Sequence, residues 1–339
     1  MSILISGVEL SRNDAVLPFP HAASDGQRGE VLERVRDILE KSGDPGDWEL
    51  TPMEALSSGV LRYLVERGLM TPAFVKDEGS ARAFGLYRGG VASLQINGRD
   101  HVQLLTSKVG AIPSELWPTL DELDDELANS MTYAFDERWG YLTARAEEAG
   151  TGLRAHVVIH LPALMVTGQL GSVAVKMLSE GITLSPVWNG AGGLFQVSNK
   201  GGLGTTERSI AEEVYAASRR LVEQEKVMRT RLLEENRLQV SDYVGRSLGV
   251  AQQARSVSSE EALGLISAVL GGVEMGVIEL DNFDSAAAFA LMRGLQPGHL
   301  AVDYLNEPDA EPDDPRLDEM RARLLRQTFE SARFVDRSS

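Results

Sequence analysis

Residues 82–105 constrain the fold more than any other stretch. They read as three short runs of alternating character, ARAFGLYRGG, VASLQIN and HVQLLTS. The Gly89-Gly90 pair between the first two is a hairpin signal. On both sides of this region the apolar spacing turns helical. Val31, Leu32, Val35, Ile38 and Leu39 form a stripe over 28–41, and Leu56, Val60, Leu61, Leu64 and Val65 form another over 53–69. Residues 114–132 predict a helix with Ser114 as its N-cap and acidic residues early. LRAHVVIHLP predicts a strand that Pro162 ends. Further helices are predicted over 166–179, 206–239, 259–278, 285–295 and 316–333. The one over 206–239 interleaves Glu and Arg at i,i+4 spacings, and Ser258/Ser259 followed by glutamates opens the next. The acidic, proline-rich 306–315 reads as a loop or linker. Helices and hairpins mix without strict βαβ alternation, which predicts an α+β chain with a largely antiparallel sheet and an all-helical C-terminal third.

Composition closes off several functions. There is no cysteine among the 339 residues, so disulfides, thiolate metal sites and cysteine nucleophiles are excluded. Met1–Leu10 has no basic n-region, and Val157–Leu164 is too short an apolar run to span a bilayer. The expectation is a cytoplasmic protein without a membrane partner. The net charge is −17, and no Lys/Arg stripe offsets it, which argues against nucleic acid as a partner. A nucleotide site on so acidic a chain needs a local cluster of cations. Arg154, His156, Val158 and His160 share one face of their strand. The ends of that His-x-x-x-His pair lie ~13 Å apart at the usual rise, too far for one ion. No metal site is expected there, and two histidines satisfied by neighbours is the plainer reading. An anion contact by His156 beside Arg154 is the alternative.

Six segments, in order along the chain, carry a resemblance: Leu17-Pro18-Phe19-Pro20, Asp100-His101, 133–163 (YAFDERWGYLTARAEEAGTGLRAHVVIHLPA), Leu194–Asn199, Ser258–Leu263 and Leu295–Leu300. Together they resemble the bacterial protein arginine kinases of the ATP:guanido phosphotransferase (phosphagen kinase) family. The resemblance implies an antiparallel sheet flanked by helices over 1–235. It also implies a helical C-terminal domain over 236–339 that forms a homodimer and binds phosphoarginine. ATP and Mg²⁺ are the implied cofactors, and an arginine-containing protein is the implied substrate. Arginines suit phosphate because a planar, permanently charged fork binds its oxygens in pairs.

The family's motifs are kept selectively. In Ser6-Gly7-Val8-Glu9-Leu10-Ser11-Arg12-Asn13 the two phosphate-binding arginines fall on Gly7 and Glu9, and Arg12 remains. If Glu9 points inward, like unit charges 4 Å apart repel by about 4 kcal/mol at an effective dielectric near 20. The first catalytic glutamate falls on Glu137, and a surface glutamate at a strand edge is the bland alternative. The substrate-loop cysteine falls on Arg145, which either supplies a replacement cation or neutralises Glu147, Glu148 or Glu137. Arg154 is kept. In Leu184–Gly190 the phosphate arginine falls on Ser185, and the second catalytic glutamate falls on Gly190 or a deleted position. The implied nucleotide site is thus Arg12, His101, Arg145 and Arg154. The phosphoarginine pocket falls on Asp318 and Arg321, which an ordinary i,i+3 ion pair on an exposed helix explains equally well. Loss of charge at Gly7, Glu9, Ser185 and Gly190 predicts a pseudokinase that regulates or binds a protein partner. The alternative is an active, divergent protein arginine kinase using Glu137, Arg154 and Arg145 with Mg²⁺. A third possibility is a use of the fold unrelated to guanidinium chemistry.

Overall fold

The computed structural model describes residues 3–41 and 46–335, so Met1 and Ser2 of the N-terminal stretch lie outside it. The chain begins with strand β1 (Ile3–Arg12), helix α1 (Asp25–Lys41), strand β2 (Trp48–Pro52), and helices α2 (Ser58–Glu66) and α3 (Pro72–Lys76). The hairpin region follows as β3 (Ala83–Tyr87), β4 (Ala92–Ile96) and β5 (Val102–Val109). Strand β3 pairs antiparallel with both β2 and β4, and β4 pairs antiparallel with β5. Gly89 and Gly90 make the predicted turn, with φ of 66° and 114°.

Helix α4 (Pro113–Ala128) comes next, then the small hairpin β6 (Phe135–Asp136) and β7 (Gly140–Tyr141). Ser114 is not the cap of α4. Pro113 takes the first helical position, and Glu115 accepts a hydrogen bond from the N–H of Ile112 at 3.3 Å. Proline lacks the N–H that a cap would satisfy and presets the helical φ, so it displaces the serine. Strand β8 (Leu153–His160) ends before Pro162, which opens α5 (Pro162–Val166). The helix predicted over 166–179 is split. Gly168, at φ 69°, closes α5 in the left-handed region, and α6 (Leu170–Ser179) starts anew.

Strands β9 (Ile182–Pro186) and β10 (Leu194–Asn199) lead to α7 (Glu207–Glu235) and α8 (Arg237–Gln253). The predicted helix 206–239 breaks at Asn236, whose φ of −135° is not helical. The charge pattern runs straight through that residue, so no sequence signal marked the break. Helices α9 (Ser259–Glu274), α10 (Ser285–Gly294), α11 (Pro297–Leu300) and α12 (Pro315–Phe329) complete the chain, with a π-helical turn over Ala301–Leu305. Ser258 caps α9 as predicted, accepting from the N–H of Glu261. The C-terminal third is not wholly helical. Strands β11 (Ile278–Glu279) and β12 (Arg333–Phe334) pair antiparallel there, too short and isolated to give a period-2 signal.

Eight strands form one sheet in the order β2-β3-β4-β5-β1-β8-β10-β9, and helices flank it, as an α+β chain requires. The chain divides into two compact units, one of 1–5, 158–197 and 216–339, the other of 6–157 and 198–215. In the first unit the buried centre is polar as well as apolar. Glu225, fully buried, accepts from the N–H groups of Ala163 and Leu164, each at 2.9 Å, and from Arg229 Nε at 2.7 Å. Arg229 also pairs with Glu274. His160, buried on the same side, bonds Ser267 Oγ at 2.7 Å. In the second unit α1, α4 and the hairpin strands supply the apolar core, with Val31, Val35, Leu94, Ile96, Leu104 and Leu120 nearly fully buried.

Candidate functional site

Strand β1 lies between β5 and β8 in the sheet. Residues two apart on a strand share a face, so Gly7 and Glu9 are placed together, as are Arg154 and His156. Glu9 is mostly buried, at 17 % side-chain exposure. Its Oε2 accepts from Gln103 Nε2 of β5 at 3.2 Å, and its Oε1 lies 3.7 Å from His156 Nδ1 of β8. Burial pushes the Glu9 carboxyl above its ordinary range, against the pull of Arg154, Arg99 and Arg145. The inward-facing glutamate is thus within electrostatic reach of three guanidinium groups.

His156 explains why position 7 is glycine. A Cβ on Gly7 would fall 2.4 Å from both Cε1 and Nε2 of the His156 ring, a distance no side chain tolerates. The ring fills the space that a longer side chain at position 7 would need. Burial first, and Arg154 second, push the His156 pKa down to about 4. The ring is therefore neutral at neutral pH, and its contact with Glu9 is not an ion pair there.

A second carboxylate belongs to the same cluster. Arg145 Nη1 lies 3.3 Å from Glu148 Oε1. Burial raises the Glu148 carboxyl, and Arg99 and Arg145 oppose that rise. Nearby Asp100 Oδ1 accepts from Asn13 Nδ2 at 2.6 Å and from the N–H of Ala144 at 2.7 Å, which ties down the loop that carries Arg145. The arginines are thus offset by carboxylates within the cluster. Three of its buried polar atoms, Arg154 Nε, Arg99 Nη1 and His156 Nδ1, have no hydrogen-bond partner. Glu148 was named from sequence as one of the carboxylates that Arg145 could neutralise, and the two pair; Arg99 and Gln103 were not singled out, because nothing local marks a turn arginine or a strand glutamine as facing a glutamate some 90 residues away.

The other residues assigned to a nucleotide site lie elsewhere in this unit. Arg12 is 2 % exposed and wholly committed. Its Nε and Nη2 donate to Asp124 Oδ2 at 3.1 and 2.8 Å, its Nη1 donates to the Thr151 carbonyl at 2.8 Å, and its guanidinium lies 3.6 Å over the Tyr141 ring. His101 is fully buried. Its Nδ1 accepts from the N–H of Asp14 at 3.0 Å, so Nε2 carries the proton and donates to the Pro18 carbonyl at 3.1 Å. Burial lowers its pKa and keeps it neutral. In this structure both residues hold elements of the scaffold through these bonds. Glu137 is exposed in the turn between β6 and β7, where Asp136 Oδ1 accepts from the N–H groups of Arg138 and Trp139.

In the other unit, the 184–190 segment holds Trp188 and Asn189 at positive φ, and Trp188 stacks on Phe289 with ring centroids 6.2 Å apart. Ser185 and Gly190 bring no cation there. Arg321 is 1 % exposed, pairs with Asp318 and donates from Nε to the Leu295 carbonyl at 2.9 Å. The i,i+3 pair is thus formed with Arg321 buried rather than exposed, and Arg321 ties α12 to the end of α10. Among the described residues, no group of three or more His, Cys, Asp or Glu can hold a metal ion, and no helix is long and apolar enough to cross a membrane.

Comparison with known proteins places the chain in a family. The family model "ATP:guanido phosphotransferase, C-terminal catalytic domain" matches residues 30–228. The chain belongs to the ATP:guanido phosphotransferase family. Residues 237–338 match "Protein-arginine kinase McsB C-terminal domain". Among its relatives is the protein-arginine kinase of Halothermothrix orenii, 34 % identical over 302 residues, which cover 88 % of this chain and 85 % of the relative. That of Brevibacillus brevis is 32 % identical over 331 residues, covering 96 % and 91 %. The fold also resembles solved structures at lower identity. The substrate-free duplicated taurocyamine kinase of Schistosoma mansoni superposes with a TM-score of 0.59 at 19 % identity, over 77 % of this chain and 39 % of that duplicated chain. Lombricine kinase superposes with a TM-score of 0.58 at 18 % identity, over 67 % of each chain.

Proposed function

We propose that this chain is a pseudokinase of the protein-arginine kinase type: a guanido-phosphotransferase scaffold that binds or regulates a protein partner and holds Mg-ATP poorly. One observation carries the reading. Glu9 stands 17 % exposed between Gln103 of β5 and His156 of β8, at the motif position where the resemblance puts a phosphate-binding arginine, so a carboxyl group occupies the place of a cation that would receive a polyphosphate. Glu148 adds a second, and Gly7, beneath the His156 ring, adds no charge back. Bringing in a triphosphate would require like charges to share a largely buried site, which costs several kcal/mol at short range.

The active-kinase reading rests on a different observation. Arg154 Nε and Arg99 Nη1 are buried without partners, which leaves donors for an incoming anion. Two measurements decide between the readings. Under the pseudokinase reading, Mg-ATP at millimolar concentration leaves the melting temperature unchanged, and no labelled γ-phosphate reaches arginine in a model protein. A clear upward shift that Arg154→Ala abolishes, or transfer to arginine that Glu137→Ala abolishes, overturns it.

A further inference from the structure

A glutamine loses much side-chain freedom on burial and brings two polar groups that need partners, so a buried glutamine calls for a bonding reason. β4 and β5 set two glutamines directly opposite each other: Gln95 pairs in register with Gln103, and Gln95 is 1 % exposed. Their amides form a chain across the sheet. Thr71, the N-cap of α3, donates to Gln95 Oε1 from its N–H at 3.1 Å and from its hydroxyl at 2.9 Å. Gln95 Nε2 donates to Gln103 Oε1 at 3.0 Å, and Gln103 Nε2 donates to Glu9 Oε2 at 3.2 Å. All these residues lie in one compact unit.

The direction of this chain is forced. A backbone N–H can only donate, so the Gln95 atom that meets Thr71 is the amide oxygen, and Nε2 is left for Gln103. The same step leaves Gln103 Nε2 for Glu9. Glu9 Oε2 is therefore an acceptor. Any proton on this carboxyl belongs on Oε1, which faces the buried, unpartnered His156 Nδ1 at 3.7 Å. The charged groups acting on Glu9 are Arg154 of β8, Arg99 of the β4–β5 turn and Arg145 of the loop after β7. The amide donor adds to their hold on the ionised form.

We propose that Gln95 and Gln103 are positioning residues: a one-way amide relay that starts at the cap of α3 and holds Glu9 in the cluster as an ionised acceptor. The consequence for nucleotide exclusion rests on the reading given under Proposed function, whereas the relay itself does not. Neither glutamine need touch a ligand to set the charge that a ligand meets.

Carbon-13 NMR of the Glu9 carboxyl across pH tests the relay. Methionine matches glutamine in length but cannot donate. In Gln103→Met the Glu9 midpoint is expected to rise by about one pH unit, because a hydrogen bond to the ionised form is gone. In Gln95→Met it is expected to rise by less, because Gln103 keeps its donor but loses what orients it. Gln95 bonds Gln103 rather than Glu9, so local packing alone would leave the midpoint where it was. A midpoint unchanged or lowered in either variant overturns the proposal. Wild type supplies a measurement that needs no variant to fold. The Nε2 proton resonances of Gln103, and more weakly of Gln95, are expected to move with the Glu9 titration, and resonances that stay constant overturn the relay. Mg-ATP titration separates this outcome from the functional reading. Above both midpoints Gln103→Met should bind Mg-ATP about tenfold more tightly than wild type, since one pH unit is a factor of ten in the uncharged population. If Glu9→Gln tightens Mg-ATP and Gln103→Met does not, the relay does not govern the site and the proposal fails. If Glu9→Gln itself gives no gain, nucleotide exclusion by Glu9 fails, and the NMR result alone decides the relay.

Discussion

Strand β8 carries two histidines four residues apart, and they sit in opposite kinds of surroundings. His160 belongs to a completed network. Its ring bonds Ser267, and beside it Arg229 is held by Glu225 and Glu274, while Glu225 also takes two backbone N–H groups at the start of α5. His156 belongs to a cluster in which its own Nδ1, Arg154 Nε and Arg99 Nη1 are buried without partners. A fully satisfied buried network fixes one arrangement of its elements, whereas a partly satisfied one leaves polar groups whose pairing does not hold the fold together. Similar residue types on one strand thus build a fully bonded core at one end and a partly bonded charged cluster at the other.

The largest effect should come from breaking the completed network. Arg229→Ala leaves Glu225 buried with its main counter-charge gone, and such losses cost about 3–5 kcal/mol. Replacing both partners with apolar residues of similar volume, Glu225→Leu with Arg229→Met, should recover part of that. The two backbone N–H groups of Ala163 and Leu164 would still lack an acceptor, so recovery is incomplete. Chemical denaturation of the three proteins measures this. An Arg229→Ala chain within about 1 kcal/mol of wild type would show that the network is not the structural half of the comparison.

The next effect is a pH dependence centred on His156. Its folded pKa is lowered to about 4 from an unfolded value of 6.5. The unfolded chain therefore takes up the proton first, and stability falls as pH drops from about 6.5 to about 4. The full span corresponds to about 3 kcal/mol. Glu9 acts in the opposite sense: its raised folded pKa adds stability as pH falls through it. His160 is also lowered, by burial and then by Arg229, and loses stability in the same direction as His156. The difference between wild type and His156→Asn isolates one group, because the other two are common to both proteins. That difference should move in favour of the variant by up to about 3 kcal/mol between neutral pH and pH near 4. A constant difference would mean that the ring is already solvated, and the cluster less buried than its geometry indicates.

Gly7 gives a smaller and more local test. Gly7→Ala sets a Cβ against the His156 ring and should cost about 1–3 kcal/mol, the usual range for overpacking. In a His156→Ala background the same change should cost much less. Equal costs in both backgrounds would show that the ring does not fill the space at position 7.

What the sequence disclosed follows the same division between local and long-range signals. The Gly89-Gly90 hairpin, the α1 and α2 stripes and the Ser258 cap depend on near neighbours, and each stands where its pattern placed it. The breaks at Gly168 and Asn236 were missed because the apolar and charge patterns run across them. Strand β1 was read only as a motif, since its almost continuous burial has no period-2 alternation. In the site, that Glu9 faces inward was stated only as a condition, and it holds. Motif position did not disclose that Arg12 bonds Asp124 or that His101 bonds the Pro18 carbonyl, because both partners are distant in sequence. Arg99 was invisible because its relevance comes only from where the β4–β5 turn ends.

Arg145→Ala should have the smallest effect, and it tests the comparison from the other side. Arg145 is 44 % exposed and pairs with Glu148 at 3.3 Å. Exposed pairs are typically worth less than about 1 kcal/mol because water already solvates both partners. The variant should therefore unfold within about 1 kcal/mol of wild type, although it loses an arginine just as Arg229→Ala does. The size of the gap between the two substitutions measures how far the first cluster is freed from structural duty. If Arg145→Ala instead costs as much as Arg229→Ala, the cluster around Glu9 is a second structural core. Its carboxylates would then be there to stabilise the fold rather than to exclude a nucleotide.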